Sequence, residues 1–436
     1  MLERRVAITG MGSVTPFGVG VSRFRDNLFR GNSAASLITS FDTSRLPTKF
    51  GAPVPLAEAE LDPLVQNQKS LKTMSRTAKF AVIAADEAVK DSGLDMSRVD
   101  PYRLGVSIGT GGVGFWDVEH SNQMFQLVAE SLDGGNGRMV DPSKVWQNTL
   151  EKTNPLTPLK ALPNMVAAHI AINHNARGSC QTLATACTSS AQAIGEAYRQ
   201  IKAGISDVIL SGGADSMIHP YGFVGFSALG VMSKNNSEYR TAARPFDRRR
   251  DGFMLGEGAS IFVLEELERC KQRGAELYGE IIGYASSCDA FRLTDEPPEA
   301  WGCIEAIKMA LADARLNPDS VDYVNAHGTG TVMNDKTETF AIKSVFGDKA
   351  RSLPVSSTKS MIGHLVAAAG AVEFTACVLA MKGQIIPPTI NYETPDEACN
   401  LDYVPNRARE ARLNIILSNS FGFGGQNACL ILRNLS

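Results

Sequence analysis

Short apolar runs that end in glycine alternate along this chain with longer stretches whose apolar positions recur every three or four residues. The first run, Arg5 to Thr9, reads as a buried strand closing in a Gly-rich turn, and Ser22 to Gly31 follows with the spacing of a short amphipathic helix. From Ser75 to Gly93, Ala78, Val82, Ala85 and Val89 share one helical face; Leu94-Asp95 then leads to the strand Arg103 to Ile108 and the turn Gly109-Thr-Gly-Gly112. The same grammar returns later. A helix from Cys303 to Ala314 passes through Leu316-Asn-Pro to the strand Val321 to Asn325 and into Ala326-His-Gly-Thr-Gly330.

The correspondence continues. In the first half a strand-like run meets Cys187, and Thr188, Ser189 and Ser190 are helix starters. An alanine-rich helix from Ala191 to Ala203 follows, with Gly204 as C-cap and a buried strand from Asp207 to Gly213. The second half repeats this as Leu353 to Thr358, a helix from about Gly363 to Met381, and the strand Leu413 to Asn419 ending at Phe421-Gly-Phe-Gly-Gly425. Such alternation implies an α/β fold with mixed sheets covered by helices, in two stacked pseudo-equivalent halves. The expected halves are residues 1–270, with a cap or interface insertion between Trp116 and Pro163, and residues 271–436.

Composition narrows the function classes. The chain has 436 residues, enough for two ordinary cores. Its 43 basic and 46 acidic residues leave a net charge of -3, which gives no electrostatic case for nucleic acid or an anionic membrane. Eight scattered cysteines form no CxxC pair and no zinc-ligand spacing, so reduced, cytoplasmic thiols and no metal are expected. The opening segment reads as neither signal peptide nor membrane anchor, and no apolar run is expected to approach the roughly 18 residues of a membrane span.

Three side chains stand out chemically. Cys187 falls at a helix N-terminus, where free N–H groups and the macrodipole favour a thiolate; the competing reading is a small buried residue in an Ala-rich seam. His327 and His364 each follow a predicted strand, and in α/β folds the carboxyl ends of strands gather into functional pockets. His120, His169, His174 and His219 lack such a context and are assigned structural roles.

Cys187 in Thr185-Ala-Cys-Thr-Ser, His327 in Asn-Ala-His-Gly-Thr and His364 in Ser-Thr-Lys-Ser-x-x-Gly-His together resemble the β-ketoacyl-acyl carrier protein synthases, closest to the bacterial synthase II type. The resemblance runs from Val6-Ala-Ile-Thr-Gly through Arg244-Pro-Phe-Asp247 and Arg250-Asp-Gly-Phe253 to Ser420-Phe-Gly-Phe-Gly-Gly-Gln-Asn427. It implies a thiolase fold, two duplicated α/β halves stacked as five layers (αβαβα), a homodimer and no cofactor. The reaction it implies is decarboxylative Claisen condensation of an acyl-thioester primer with malonyl-acyl carrier protein, giving 3-oxoacyl-acyl carrier protein and CO2.

The resemblance also implies roles. Cys187 would carry the acyl group, and His327 and His364 would donate Nε2–H to the enolate oxygen. The N–H groups of Cys187 and Phe423 would form the oxyanion hole, with the Phe423 side chain as a gate to the acyl chain. Lys359 and Glu338 would support the histidines, Thr329 and Thr331 would bind the pantetheine arm, and Gly112 would line the acyl pocket. Lys69, Lys72 and Arg76 at i, i+3 and i+7 would form one basic stripe for the acidic carrier protein. The chain departs from the housekeeping pattern at Thr188-Ser-Ser190, at Gly-Thr-Gly-Thr331 and at Gly112. These departures keep a second reading open: a pathway-specific ketosynthase of a type II polyketide or polyene system, working with a homologous chain-length-factor subunit. A thiolase is disfavoured because Phe423-Gly-Gly425 occupies the place of its second cysteine, and the synthase III type because His364 is present.

Overall fold

Val6–Thr15 (β1) is buried at every position, which explains its unbroken run of apolar and small residues. The computed structural model describes residues 4–111, 118–132 and 139–435. After β1 come Leu104–Thr110 (β2), Cys180–Leu183 (β3), Val208–Ser216 (β4) and Glu257–Glu266 (β5). The second half supplies Gly279–Cys288 (β6), Tyr323–Asn325 (β7), Val355–Ser356 (β8), Ile415–Gly422 (β9) and Gln426–Arg433 (β10). They line up as β8-β7-β9-β10-β6-β1-β5-β4-β2-β3. Each half therefore has the order third, second, fourth, fifth, first. In both, the second strand pairs in parallel with the third and fourth, and the fifth is antiparallel to its neighbours. The two first strands meet antiparallel over Val6–Ile8 and Gly279–Ile281, which joins the halves.

Helices complete five layers. Arg76–Asp91 (α1) and Asn164–His174 (α2) bury their apolar faces on the outside of the first half. Ser189–Lys202 (α3) and Ala369–Gly383 (α6) share the central core, and Trp301–Asp313 (α4) and Val332–Phe346 (α5) cover the second half. The central helices approach closely: a Cβ on Gly370 would lie 2.9 Å from the Ala191 backbone nitrogen.

The expected helix from Gly363 to Met381 is interrupted. Lys359–Ile362 is a single turn, Gly363 takes φ 73°, Val366 takes φ 48°, and α6 begins only at Ala369. A β-branched residue at positive φ is strained and holds only where its surroundings fix it. Ala186, immediately before Cys187, has φ 50°, so both central helices start from the same kind of turn. Residues 186–188 lie against β9 of the opposite half, and 366–368 lie against β4.

Two further expectations are corrected. The stretch Val366–Gly383 does have the length and hydropathy of a membrane span, but 89% of it is buried inside the protein as the core helix. Lys69 and Lys72 lie on a 3-10 turn, Gln68–Thr73, whereas Arg76 belongs to α1 and turns inward to Glu257 at 2.9 Å, so the three share no stripe. The insertion folds, in its described parts, as helices Val118–Glu130, Pro142–Lys152 and Thr157–Ala161. Gly112, Trp116 and Gly134 to Gly137 lie outside the described residues.

Gly109, in β2, offers a test of this packing. A Cβ there would sit 2.2 Å from the backbone of Ser189 and Ser190 at the start of α3. Gly109→Ala is expected to destabilise the chain by about 3 kcal/mol or more in urea unfolding. A loss below about 0.5 kcal/mol, the range of an ordinary surface change, would contradict the packing.

Candidate active site

The turn that carries Cys187 is built from its own hydroxyls. Ser189 Oγ accepts the Thr185 N–H at 2.8 Å and donates to Ala186 O at 2.6 Å, while Thr188 Oγ1 donates to Thr185 O at 2.7 Å. Ser190 accepts the Ala371 N–H at 2.9 Å, tying α3 to α6; the departure Thr188-Ser-Ser190 thus has a structural use. Cys187 is left facing inward, 7% exposed.

The histidines arrive from the other half. His327 follows β7, and its N–H and that of Gly328 donate to the two oxygens of Glu338 at 2.9 and 2.8 Å; Asn419 donates to the same carboxylate at 3.1 Å. His364 follows the Gly363 turn and is held by its N–H to Met254 O at 2.7 Å. Its Nε2 lies 3.0 Å from Cys187 Sγ, and the two imidazoles meet edge to face with centroids 5.3 Å apart. Phe253 packs its ring against His364 at 5.2 Å.

Protonation follows from burial. Burial first, then the Lys359 charge, holds both imidazoles well below their ordinary range, so both are neutral near pH 7. Lys359 Nζ stands 3.3 Å from His327 Nδ1; an ammonium only donates, so Nδ1 accepts and Nε2 of His327 carries the proton. His364 Nδ1 is buried without a partner among the described residues. An unpaired N–H there would cost more than an unpaired lone pair, which places the proton of His364 on Nε2, toward Cys187.

The expected low thiol pKa of Cys187 is corrected. Burial pushes the thiol up to about 12, with Lys359 and the Phe423 N–H pulling down and Asp215 and Glu373 pushing up. A helix terminus visible in the sequence does not outweigh desolvation that only the tertiary structure imposes. Sγ and the two histidine nitrogens all lie within 4.8 Å of one another. The 3.0 Å contact is a hydrogen bond, shorter than the roughly 3.5 Å that separates S and N ligands of one tetrahedral zinc.

Glu373 is a participant that sequence reasoning missed. It is buried in α6 and forms an ion pair with buried Lys359; burial raises its carboxyl to about 7 against that cation. The signal was a carboxylate in an otherwise apolar helix. Glu338 is likewise raised to about 7 by burial, against the N–H groups that hold its anion. Asp335 accepts the Phe246 and Gly330 N–H groups at 2.7 and 3.1 Å, and Arg250 lies 3.5 Å away, bound also to Asp396 at 2.6 Å. Both therefore serve as structural struts.

Cys187, His327 and His364 sit at one side of a cavity of about 280 Å³. Thr329, Thr331 and Phe423 line it too, with the threonine hydroxyls 2.9 Å apart. The Phe423 N–H is a further polar neighbour that favours the Cys187 thiolate. The remaining histidines described in detail are structural: His169 contacts Thr73 O at 3.3 Å, His174 contacts Asp86 at 3.1 Å, and His219 accepts the Gly222 N–H at 3.1 Å as a helix cap.

Lys359→Met would strand Glu373 as a buried carboxylate without a cation, with an expected loss of about 3–5 kcal/mol in urea unfolding. Adding Glu373→Gln is expected to return most of that stability while activity stays low, because His327 Nδ1 still lacks its donor. Full activity in the double variant would contradict the role given to Lys359.

The family models for the β-ketoacyl synthase N-terminal and C-terminal domains match residues 3–269 and 278–393. The chain is 42% identical over 436 residues to a 3-oxoacyl-[acyl-carrier-protein] synthase 2 of Coxiella burnetii, covering 100% of both chains. It is 40% identical over 434 residues to the tetracenomycin polyketide synthase ketoacyl synthase alpha subunit of Streptomyces glaucescens, covering 99% of this chain and 97% of that one. Its fold matches the ishigamide ketosynthase/chain length factor structure with a TM-score of 0.86 at 34% identity, over 100% of both chains. Motifs in both halves, full-length similarity and a shared thiolase-type architecture agree that the chain belongs to the β-ketoacyl synthase family.

Proposed function

We propose that this chain condenses an acyl-thioester primer with malonyl-acyl carrier protein, releasing CO2 and 3-oxoacyl-acyl carrier protein. The observation that carries this reading is the convergence of Cys187 Sγ, His364 Nε2 and the His327 ring at the end of a cavity lined by Thr329 and Thr331. In the first step Cys187 Sγ attacks the primer's carbonyl carbon, the carbon–sulfur bond to the carrier arm breaks, and the thiol proton leaves with the arm's sulfur. The second carrier arm then brings malonyl. Its carbon–carboxylate bond breaks, CO2 departs, and the electron pair left behind becomes an enolate whose oxygen accepts the Nε2–H groups of His327 and His364. Neutral histidines suit this donor role better than cations that would hold the malonyl carboxylate. The enolate carbon attacks the acyl-Cys187 carbonyl, the oxyanion accepts the N–H groups of Cys187 and Phe423, and collapse expels Cys187 sulfur as a thiolate, which takes a proton from water.

In this reading Lys359 and Glu338 position the histidines, the Phe423 side chain gates the acyl chain, and Thr329 and Thr331 hold the pantetheine amides. The working form is a cytoplasmic homodimer of chains built from halves 1–270 and 271–436, needing no cofactor or metal. The similarity to the ishigamide ketosynthase/chain length factor structure supports a second reading, a pathway-specific polyketide or polyene ketosynthase paired with a homologous subunit. Purification alone against co-expression with such a subunit separates the two: activity gained only with the partner favours the second.

Cys187→Gln removes the acyl carrier while leaving both histidines. It is expected to abolish condensation and to retain CO2 release from malonyl-acyl carrier protein, measured by product mass and released label. Condensation that persists in this variant would overturn the mechanism.

A further inference from the structure

Asp215, at the end of β4, is 2% exposed and takes no part in the chemistry proposed above. Its Oδ2 accepts the Ala367 N–H at 3.0 Å, and Oδ1 accepts the Ser216 N–H at 2.9 Å. A Cβ on Gly111 would lie 2.9 Å from Oδ2, so the carboxylate is pressed between the end of β2 and the turn that starts α6.

The duplication gives this contact its meaning. Ala186 (φ 50°), Cys187 and Thr188 precede α3 as Val366 (φ 48°), Ala367 and Ala368 precede α6, so Ala367 is the counterpart of Cys187. Each turn packs against the last parallel strand of the other half, and the two turns touch. In the first turn the Cys187 N–H faces the end of β9, where a Cβ on Gly422 would lie 3.2 Å from the Cys187 nitrogen. In the second turn the counterpart N–H, that of Ala367, faces the end of β4 and donates to the Asp215 carboxylate there.

We propose that Asp215 is a positioning residue for Cys187: it fills the second copy of the nucleophile's anion-binding turn and so locks the strained Val366 turn against the cysteine. Without that acceptor the Ala367 N–H is unpaired, Val366 has less to hold it at positive φ, and the wall behind Cys187 loosens. The carboxylate also sets the field at the thiol. Cys187 faces His327, His364, Lys359, Glu373 and Asp215, and burial first, with the Glu257 charge, raises the Asp215 carboxyl to about 7. Removing a negative charge favours the thiolate, so Cys187 should titrate at lower pH.

The test is Asp215→Asn. The pH profile of Cys187 alkylation by iodoacetamide, followed by intact mass, is expected to move down by about half a pH unit or more. At the same time kcat for condensation should fall about ten- to a hundredfold with KM little changed. A folded Asn variant with both quantities unchanged overturns the proposal, and so does a moved profile with unchanged kcat. Should that variant not fold, Val366→Gly relaxes the turn without touching a charge: a fall in kcat at unchanged alkylation profile supports the proposal, and an unchanged kcat overturns it. The kcat arm rests on the condensation reading above. The alkylation arm does not require condensation, so the failure of that reading and of this one are distinguishable.

Discussion

The candidate active site depends on two strained turns that back onto each other at the centre of the molecule. Ala186 and Val366, both at positive φ, start helices α3 and α6, and each turn rests on a strand belonging to the opposite half. Cys187 therefore takes its immediate surroundings from the second half of the chain: the His364 ring, the Phe423 N–H and the Val366 turn. The geometry exists only when both halves are stacked. That ties catalytic competence to the central core, where α3 and α6 approach too closely for any side chain at Gly370.

Burial then sets the chemistry. Desolvation keeps both imidazoles neutral and keeps the Cys187 thiol protonated at rest, so the site holds hydrogen-bond donors rather than a preformed ion pair of cysteine and histidine. The formal charges lie one layer further out, on Lys359 and Glu373, paired with each other inside the core. Lys359 fixes the His327 tautomer from Nδ1, and Glu338 fixes the backbone on which that ring sits. Buried donors held rigidly are what a developing oxyanion needs, since they require no reorganisation when the charge forms.

Much of this was legible in the amino-acid sequence, for identifiable reasons. Strands such as β1 and β4 are buried on both faces and read as unbroken apolar runs, and the repeat of strand, helix and glycine stop is reproduced in the matching strand orders of the two halves. Cys187, His327 and His364 were picked out by motif and by their place after strands, and the fold brings all three together. The interrupted start of α6 was hidden because Leu365, Val366 and the alanines after them suit a helix, while the positive φ at Val366 is imposed by tertiary packing. The basic stripe failed because spacing says nothing about a break at Met74, nor about the buried Glu257 that draws Arg76 inward. Glu373 meets Lys359 only because the helix breaks between them, Ala367 lies 152 residues from Asp215, and the raised thiol pKa of Cys187 comes first from enclosure.

In the proposed reaction Cys187 takes an acyl group from a carrier thioester although its thiol is protonated at rest. Its most direct test is intact-mass spectrometry of the purified protein after incubation with a panel of saturated and unsaturated acyl-carrier proteins, followed by peptide mapping. A single acyl increment on the peptide containing Cys187 is the expected result. An adduct at another residue, or no transfer from any carrier to the folded protein, would contradict it.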